Sequence, residues 1–205
     1  MDLLNKFQAY IQKKNLFQQK DRLLIATSGG ADSSVLCTLC AACGYNFSIA
    51  HCNFQLRGAE SERDEIFVRK MVEKFGVKYF IKRFDTASEA KQNKTSVEET
   101  ARNLRYSWFE ELISQSRKPG EDPFKYLLTG HHADDNVETV MMNFFRGTGI
   151  KGLRGILPKQ GNIIRPLLFA ERKEIEMFAA DNNIAFVTDS SNAENNFTRN
   201  YFRNE

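Results

Sequence analysis

The chain has 205 residues, of which 41% are hydrophobic, with 29 Lys and Arg against 26 Asp and Glu. The apolar fraction suffices for a globular core and excludes a disordered or collagen-like chain. A net charge of +3 is too small to indicate nucleic-acid binding by itself, so that function needs local clusters or motifs as support.

Length and residue usage also indicate the class of protein. Domains of roughly 100 to 200 residues are usual, which favours a single domain. No uncharged apolar run approaches the roughly 18 residues of a membrane-spanning helix, and the first residues lack the apolar core of a signal peptide. Three of the four cysteines crowd into residues 37–43, unlike a secreted disulfide framework. We therefore expect a cytoplasmic protein with reduced thiols and no membrane partner.

Helices and strands alternate along the first half of the chain. Apolar residues recurring at threes and fours predict an opening helix over 3–17, and the continuous apolar run at 22–27 predicts a buried strand. A glycine pair follows, and then helical spacing resumes. The same reasoning predicts a helix at 33–43, a strand at 47–51, a helix at 61–75, a strand at 78–84 and a helix at 96–115, whose start Ser96 can cap together with Glu99.

The second half continues this pattern less regularly. We predict a strand at 125–129, helices at 133–146 and 171–182, and a short strand at 184–187. Residues 145–172 hold six cations against one anion, together with five glycines. Repeated strand and helix units predict an α/β fold, with a Rossmann-like parallel β-sheet flanked by helices.

The most informative motif lies between the first strand and the second helix. A helix N-terminus with glycines offers free backbone amides and a favourable dipole to an anion such as phosphate. The acidic side chain in this loop cannot lie beside phosphate without a cation between them, which indicates Mg²⁺. A plain glycine turn capped by Asp32 or Ser33 is the structural alternative. The loop comprises Ser28, Gly29, Gly30, Ala31, Asp32 and Ser33.

A second motif directly follows the predicted strand at 125–129. Helical spacing places Asp135 and Glu138 on one face, at the edge of the sheet where open α/β folds bind ligands. These carboxylates could bind Mg²⁺ or orient a nucleophile. Zinc is disfavoured, because the adjacent His131 and His132 cannot both point at one ion from a regular helix. Asp134 is explained equally well as a helix cap.

Two further features have ordinary structural alternatives. Arg102 and Arg105 share a helix face, which suits phosphate but also suits ion pairs with nearby glutamates. Cys37, Cys40 and Cys43 lie within one predicted helix, where Cys37 and Cys43 point about 120° apart. They therefore fit small buried side chains better than an iron–sulfur cluster.

Ordered motifs along nearly the whole chain resemble the PP-loop ATP pyrophosphatase superfamily and, within it, the tRNA(Ile)-lysidine synthetases. The first motif is the Ser-Gly-Gly-x-Asp-Ser loop at 28–33. The others stand at 51–58 (HCNFQLRG), 101–106 (ARNLRY), 131–139 (HHADDNVET), 146–149 (RGTG), 165–168 (RPLL) and 199–203 (RNYFR).

This resemblance implies adenylation of the wobble cytidine in the CAU anticodon of an isoleucine tRNA. ATP and Mg²⁺ would be required, and pyrophosphate would be released. The ε-amine of L-lysine would then attack C2 of the cytidine and release AMP. Members of the family often form dimers, so a homodimer is an expectation that rests on the resemblance alone.

The resemblance also assigns roles to residues. The loop at 28–33 would bind ATP, with Asp32 and Asp135 holding Mg²⁺. The catalytic set would be Asp32, Arg105, Asp135 and Glu138, and the candidate contacts to the base or another substrate are His51, Asn53, Arg57 and His131. The six-to-one charge ratio of residues 145–172 also predicts contacts to the anticodon backbone, with an ordinary solvated loop as the alternative. The candidate tRNA contacts are Arg146, Lys151, Arg154, Arg165, Arg199 and Arg203.

The chain departs from the family pattern in two places. Phe54 stands where members often carry a second histidine, which puts any role of that ring in doubt. Members also usually continue beyond the Arg-Asn-x-x-Arg segment into further helical domains. We therefore expect residues 1–205 to be a PP-loop catalytic domain, with 189–205 as the start of a connection to further domains.

Two other functions stay open on sequence grounds. Another adenylating enzyme with the same loop, such as a nucleobase thiolase or an amide-forming synthetase, would share the first half-reaction. Thiolation would need a reactive cysteine or a cluster near the loop. A module that binds ATP or RNA without turnover is the third possibility, although such a module would not need the acidic pair Asp135 and Glu138.

Overall fold

The computed structural model describes residues 2–117 and 122–188, apart from the side chain of Lys151. Every predicted helix, and every predicted strand up to residue 129, is present with ends within three residues of the prediction. Within the described residues, no helix is long and apolar enough to cross a membrane. The elements in chain order are α1 (Leu3–Lys14), β1 (Leu23–Ala26), α2 (Ala31–Ala42), β2 (Phe47–Asn53), α3 (Ala59–Phe75), β3 (Tyr79–Arg83), α4 (Thr86–Asn93), α5 (Val97–Gln115), β4 (Tyr126–Leu128), α6 (Ala133–Phe145), α7 (Gly149–Gly152), β5 (Lys159–Gln160), β6 (Ile163–Ile164) and α8 (Arg172–Asp181).

The strands form one sheet in the order β3-β2-β1-β4-β6-β5, in which only β5 is antiparallel to its neighbour. Ile25 of β1 lies opposite Ile49 of β2 on one side and Leu128 of β4 on the other. The chain therefore moves outward from β1 in one direction and returns to its other side through β4. Such a switch in strand order opens a crevice at the carboxyl ends of the strands, where α/β folds bind ligands.

Alternate residues of the strands feed two hydrophobic layers, as the two-residue period of a strand requires. One layer packs Leu23, Ile25 and Ile49 against α1, α2, α3 and α8. The other packs Leu24 and Leu127 against aromatic side chains of α5. Helices thus cover both faces of the sheet, and the predicted α/β fold is confirmed.

Four short elements were absent from the prediction. Helix α4 has no apolar stripe, and Asp85 starts it by accepting the Ser88 amide at 3.1 Å. Helix α7 and strands β5 and β6 are too short for periodicity to reveal. The predicted strand at 184–187 is wrong, since these residues join no strand ladder of the described sheet. Instead, the Val187 amide donates to the Gly29 carbonyl at 2.9 Å.

A buried carboxylate ties β2, β3 and α3 together below the carboxyl edge. Glu65 is 3% exposed and accepts hydrogen bonds from Asn53 at 2.9 Å, Arg69 at 2.9 Å and Arg83 at 2.9 Å. Burial alone would raise the pKa of Glu65, but the hydrogen bonds from Arg83, Asn53 and Arg69 outweigh it and lower the pKa to about 2. The folded state therefore favours ionised Glu65.

Replacing Glu65 by glutamine should lower the free energy of unfolding at pH 7 by about 2 kcal/mol. This is less than the full pKa shift implies, because Arg69 and Arg83 are half-exposed and water screens their charges. Because the folded pKa is depressed, this stabilisation is complete above the unfolded pKa. It is lost as pH falls towards about 2. Urea unfolding at pH 7 and pH 3 measures the difference. The matched control is Glu62→Gln, whose carboxylate is exposed and lies 3.5 Å from Arg83. Equal losses for the two variants at pH 7 would contradict the prediction.

Candidate functional site

A cavity of about 260 Å³ opens where the carboxyl ends of β1, β2 and β4 meet. Six residues predicted from sequence line it, so the fold brings three separate motifs together. The rest of the wall is formed by Ala26, Thr27, Ala50, Cys52, Phe54, Tyr106, Phe109, Thr129 and Gly130. The six predicted residues are Ser28, Asp32, Ser33, Arg105, His131 and Asp135.

The loop between β1 and α2 is shaped by its own hydrogen bonds. Gly29 has φ +92°, and its carbonyl accepts from the Ser34 hydroxyl at 3.2 Å. The Gly30 amide donates to the Ser28 hydroxyl at 3.2 Å, and Ser33 donates back to the Gly30 carbonyl at 3.1 Å. Gly30 is the N-cap of α2 and, as a glycine, supplies no side-chain cap, so the helix start relies on backbone geometry and on the Ser33 bond within the turn. A helix N-terminus of this kind directs its first-turn amides and its dipole towards an anion.

The segment after β4 lies directly against this loop. A Cβ atom at Gly130 would lie 3.2 Å from the Cβ of Asp32 and 3.2 Å from the backbone nitrogen of Ser33. Only glycine allows the two segments to approach this closely without a shift. This contact sets the distance between the loop and the residues that begin α6.

His132 lies among three carboxylates and is the site residue that sequence analysis missed. Its side chain is 3% exposed. Its Nε2 is 3.9 Å from Asp32 and 3.6 Å from Asp135, and its Nδ1 is 3.4 Å from Asp134. The His132 amide also donates to Asp135 at 3.0 Å. The ring therefore lies between the carboxylate of the loop and those at the start of α6. The only sequence signal was its place beside His131.

The other residues at the start of α6 separate into different roles. His131 lines the cavity and hydrogen-bonds Thr129 at 2.9 Å. Asp134 caps α8 instead, because it accepts the amide of Arg172, the first residue of that helix, at 2.9 Å. Burial would raise the pKa of Asp134, but the Arg172 amide and the nearby imidazole lower it overall. Glu138 is buried and does not line the cavity.

Arg105 lies over an aromatic ring at the cavity wall. Its guanidinium carbon is 5.1 Å from the centroid of Phe54, and Phe54 stacks on Phe84 at 5.6 Å. Arg102 lies over Tyr106 instead, at 5.0 Å. In the described part of the chain, neither arginine pairs with Glu98 or Glu99. The ion-pair alternative is therefore not supported, and Phe54 acts as a platform for Arg105.

Three predicted contact residues have structural partners below the cavity. His51 is buried, and its Nδ1 lies 2.8 Å from the Thr27 carbonyl, while burial lowers its pKa. Asn53 donates to Glu65, and Arg57 donates to Asp64 at 3.0 Å. None of the three lines the cavity, so they support the end of β2 from beneath.

The predicted tRNA contacts are not equally accessible. Arg146 and Arg154 are exposed, whereas Arg165 is buried and donates to the Leu157 carbonyl at 2.8 Å. The Lys151 side chain, Arg199 and Arg203 lie outside the described residues, as does all of 189–205. Fewer cations of residues 145–172 are therefore exposed to a tRNA than the six counted in the sequence.

The cysteines are free thiols. Cys37 and Cys40 are fully buried in the core, as predicted, whereas Cys43 is only partly buried. Burial raises the pKa of Cys37 to about 12. Cys52 lines the cavity, yet burial raises its pKa to about 12 as well. The described residues contain no cluster of three or more His, Cys, Asp or Glu side chains suited to a metal ion.

Comparisons with known proteins agree with this geometry. Residues 3–205 match the ATP_bind_3 family, described as a PP-loop domain. The chain is similar to the tRNA(Ile)-lysidine synthase of Bacteroides thetaiotaomicron, with 45% identity over 95% of this chain and 44% of that protein. It is also similar to the tRNA(Ile)-lysidine synthase of Chlorobaculum tepidum, with 42% identity over 97% of this chain and 60% of that protein. The chain thus spans about half the length of these relatives.

Solved structures share the fold at low identity. The U34-tRNA thiolase NcsA from Methanococcus maripaludis matches with a TM-score of 0.73 and 19% identity, over 98% of this chain and 71% of that one. The NH3-dependent NAD synthetase from Campylobacter jejuni matches with a TM-score of 0.58 and 16% identity, over 88% and 72%. These likenesses establish the fold and nothing beyond it.

Proposed function

The chain belongs to the PP-loop domain family, and from that premise we propose that it is the adenylating domain of a tRNA(Ile)-lysidine synthase. The observation that carries the proposal is one cavity that combines the amides of the α2 N-terminus, Arg105 and the carboxylates of Asp32 and Asp135. This combination suits ATP cleavage followed by attack of an amine. The similarity to curated lysidine synthases supplies the choice of RNA and amine.

ATP binds with its β- and γ-phosphates on the loop at 28–33. The amides of the first turn of α2 and the hydroxyls of Ser28 and Ser33 meet the phosphate oxygens. The loop does not end in the Lys-Ser or Lys-Thr pair of a Walker-type loop, which disfavours cleavage at the γ-phosphate. The resemblance to PP-loop pyrophosphatases implies cleavage between the α- and β-phosphates. The loop therefore holds the pyrophosphate that leaves.

Asp32 and Asp135 fit Mg²⁺ in the company of phosphate. Both line the cavity and approach the same nitrogen of His132. Two carboxylates with phosphate oxygens are a usual environment for this ion, and the set is too small for a site made by protein alone. When bound there, Mg²⁺ would neutralise negative charge on the leaving pyrophosphate.

The first step joins the wobble cytidine to AMP. The O2 atom of the base attacks the α-phosphorus, and the bond to the bridging oxygen breaks, so that pyrophosphate leaves with the electron pair. Arg105, held over Phe54, places its guanidinium against the phosphoryl oxygens as their charge grows. The residues contribute positioning and charge rather than a covalent intermediate.

The second step replaces the adenylate by lysine. The lysine ε-amine attacks C2 of the base, the C2–O2 bond breaks, and AMP leaves with that oxygen. In this step, after pyrophosphate has left, the Asp135 carboxylate receives the lysine ammonium and accepts its proton. Glu138 lies one turn further along α6, is buried and does not line the cavity. His131 contacts the base, since it lines the cavity.

The deciding experiment measures incorporation of labelled lysine into an isoleucine tRNA transcript with a CAU anticodon, in the presence of ATP and Mg²⁺. The control transcript carries uridine at the wobble position. Incorporation into the first transcript only is the expected result. ATP binding that is lost in Asp32→Ala, without incorporation into either transcript, would overturn lysidine formation as the activity of this chain.

Exposed cations near α7 are expected to hold the tRNA backbone. Replacing Arg154 by glutamate should weaken tRNA affinity about tenfold and reduce the salt dependence of binding, because one phosphate contact is lost and a repulsion is added. Filter binding at several salt concentrations measures both. Lys13→Glu, at the exposed end of α1, is the matched control. Unchanged affinity and slope for Arg154→Glu would identify this segment as an ordinary solvated loop.

Cys52 distinguishes this function from thiolation. Since burial keeps its thiol protonated, replacement of Cys52 by alanine should leave lysine incorporation within about twofold of the starting protein. A thiolase would instead lose its activity with this residue. Parallel assays of sulfur and lysine incorporation decide, and loss of lysine incorporation in a folded Cys52→Ala protein would contradict the prediction.

A further inference from the structure

A second cavity lies beside the first and has no role in the mechanism above. It has a volume of about 570 Å³, inside the roughly 300–1,000 Å³ range of ligand pockets, and runs between α5 and the hairpin of β5 and β6. Tyr106 and Phe109 line both cavities and form the wall between them. The two cavities therefore lie side by side and share these two aromatic residues.

The second cavity is positively charged. Arg102, Arg117 and Arg165 line it, against one carboxylate from Glu110. In the described residues, Arg102 and Arg165 form no ion pair, and Arg102 instead lies over Tyr106. Three guanidinium groups around one concave space are typical of phosphate recognition.

Arg165 provides an independent indication of a ligand. The residue is only 7% exposed, and its Nη1 donates to the Leu157 carbonyl. Its Nε has no hydrogen-bond partner within the described structure although the atom is buried. A buried charged donor without a partner is costly, and an anion in this cavity would satisfy it.

The remaining lining fits the rest of a nucleotide. Its apolar floor consists of Phe109, Ile113, Leu127 and Ile163. Along one edge, amide groups come from Gln160 and Asn162. An apolar floor with polar edges suits a base, while the arginines suit its phosphate.

We propose that this cavity binds the RNA nucleotide next to the one that reacts, with its phosphate at Arg102 and Arg165 and its base on the apolar floor. The proposal rests on the proposed function, because it takes the reacting nucleotide to be part of an RNA strand in the first cavity. The site would hold the strand in register while the reactive base is adenylated. It gives α5 two functions, since Arg105 faces one cavity and Arg102 the other.

The test measures binding of a fluorescent anticodon-loop RNA oligonucleotide without ATP or lysine, so that no catalysis is required. Arg102→Gln and Arg117→Gln should each weaken binding about tenfold and lower the salt slope by about 1. Lys70→Gln, an exposed cation on α3 across the sheet, is the matched control and should change neither. Arg165 is not substituted in this test, because its hydrogen bond to the Leu157 carbonyl also supports the fold.

Other outcomes overturn the proposal. These are absence of oligonucleotide binding, equal effects in Lys70→Gln, or unchanged binding in both arginine variants. If free AMP displaces the probe as tightly as the unlabelled oligonucleotide, the cavity is a mononucleotide site and not a strand site. Failure of the proposed function is recognised separately: RNA binding would depend on Arg102 and Arg117, yet no lysine would be incorporated into the tRNA transcript.

Discussion

Replacing Arg105 by glutamine is expected to lower kcat for pyrophosphate release by about 10²–10³-fold, the usual effect of removing a group that stabilises developing charge. The guanidinium lies over Phe54 in the same cavity as the α2 N-terminus. It is placed to meet oxygens whose charge increases during attack on the α-phosphorus. Because this interaction strengthens in the transition state, kcat should fall much more than KM for ATP rises.

Two further variants separate charge from geometry at this position. Arg105→Lys keeps the charge but loses the planar fork, and should recover only part of the lost rate. Phe54→Leu keeps the guanidinium but removes its platform, and should reduce kcat about threefold to tenfold, given the modest strength of a cation–π contact. Rapid-quench measurement of pyrophosphate release with saturating tRNA reports all three variants. A rise in KM for ATP with unchanged kcat in Arg105→Gln would identify a binding role only.

The central part of the site follows from local sequence patterns. The apolar run before Ser28 and the glycines after it specify a strand, a tight turn and a helix within about 20 residues. Asp135 belongs to a distant motif, yet the carboxyl ends of parallel strands meet at one edge, so the fold class is enough to predict that it meets the loop. Arg105 lies within α5, and its place in the site was predicted only with the help of the family resemblance. For this reason, six cavity residues could be named in advance.

Features that depend on partners distant in the chain could not be predicted. His132 is distinguished from His131 only by the backbone at the start of α6, which directs one ring into the protein and the other to the cavity wall. Arg165 is buried because β6 pairs with β4, whereas a charged residue is normally expected at the surface. Likewise, Glu65 becomes buried only when β2, β3 and α3 assemble around it.

Replacing Gly29 by alanine is the second substitution with a large expected effect. The φ angle of +92° is unfavourable for any residue with a Cβ, and that atom would lie 3.0 Å from Val187 Cγ2 and 3.1 Å from Phe67 Cδ1. Backbone strain of about 1–2 kcal/mol and overpacking of about 1–3 kcal/mol together predict a loss of about 3 kcal/mol in unfolding free energy. ATP affinity should fall at least about tenfold, because relief of these contacts shifts the loop that holds phosphate.

Two other glycines separate strain from crowding. Gly76 has φ +63° with nothing within 4 Å of its Cβ position, so Gly76→Ala should lose about 1 kcal/mol of stability and keep its ATP affinity. Gly130 has no positive φ, yet its Cβ would press on Asp32 and Ser33 at 3.2 Å. Gly130→Ala should therefore weaken ATP binding more than it lowers stability. Urea unfolding and ATP titration of the three variants give both quantities. If ATP affinity followed stability alone across the series, the spacing between the loop and the β4 end would have no special part in nucleotide binding.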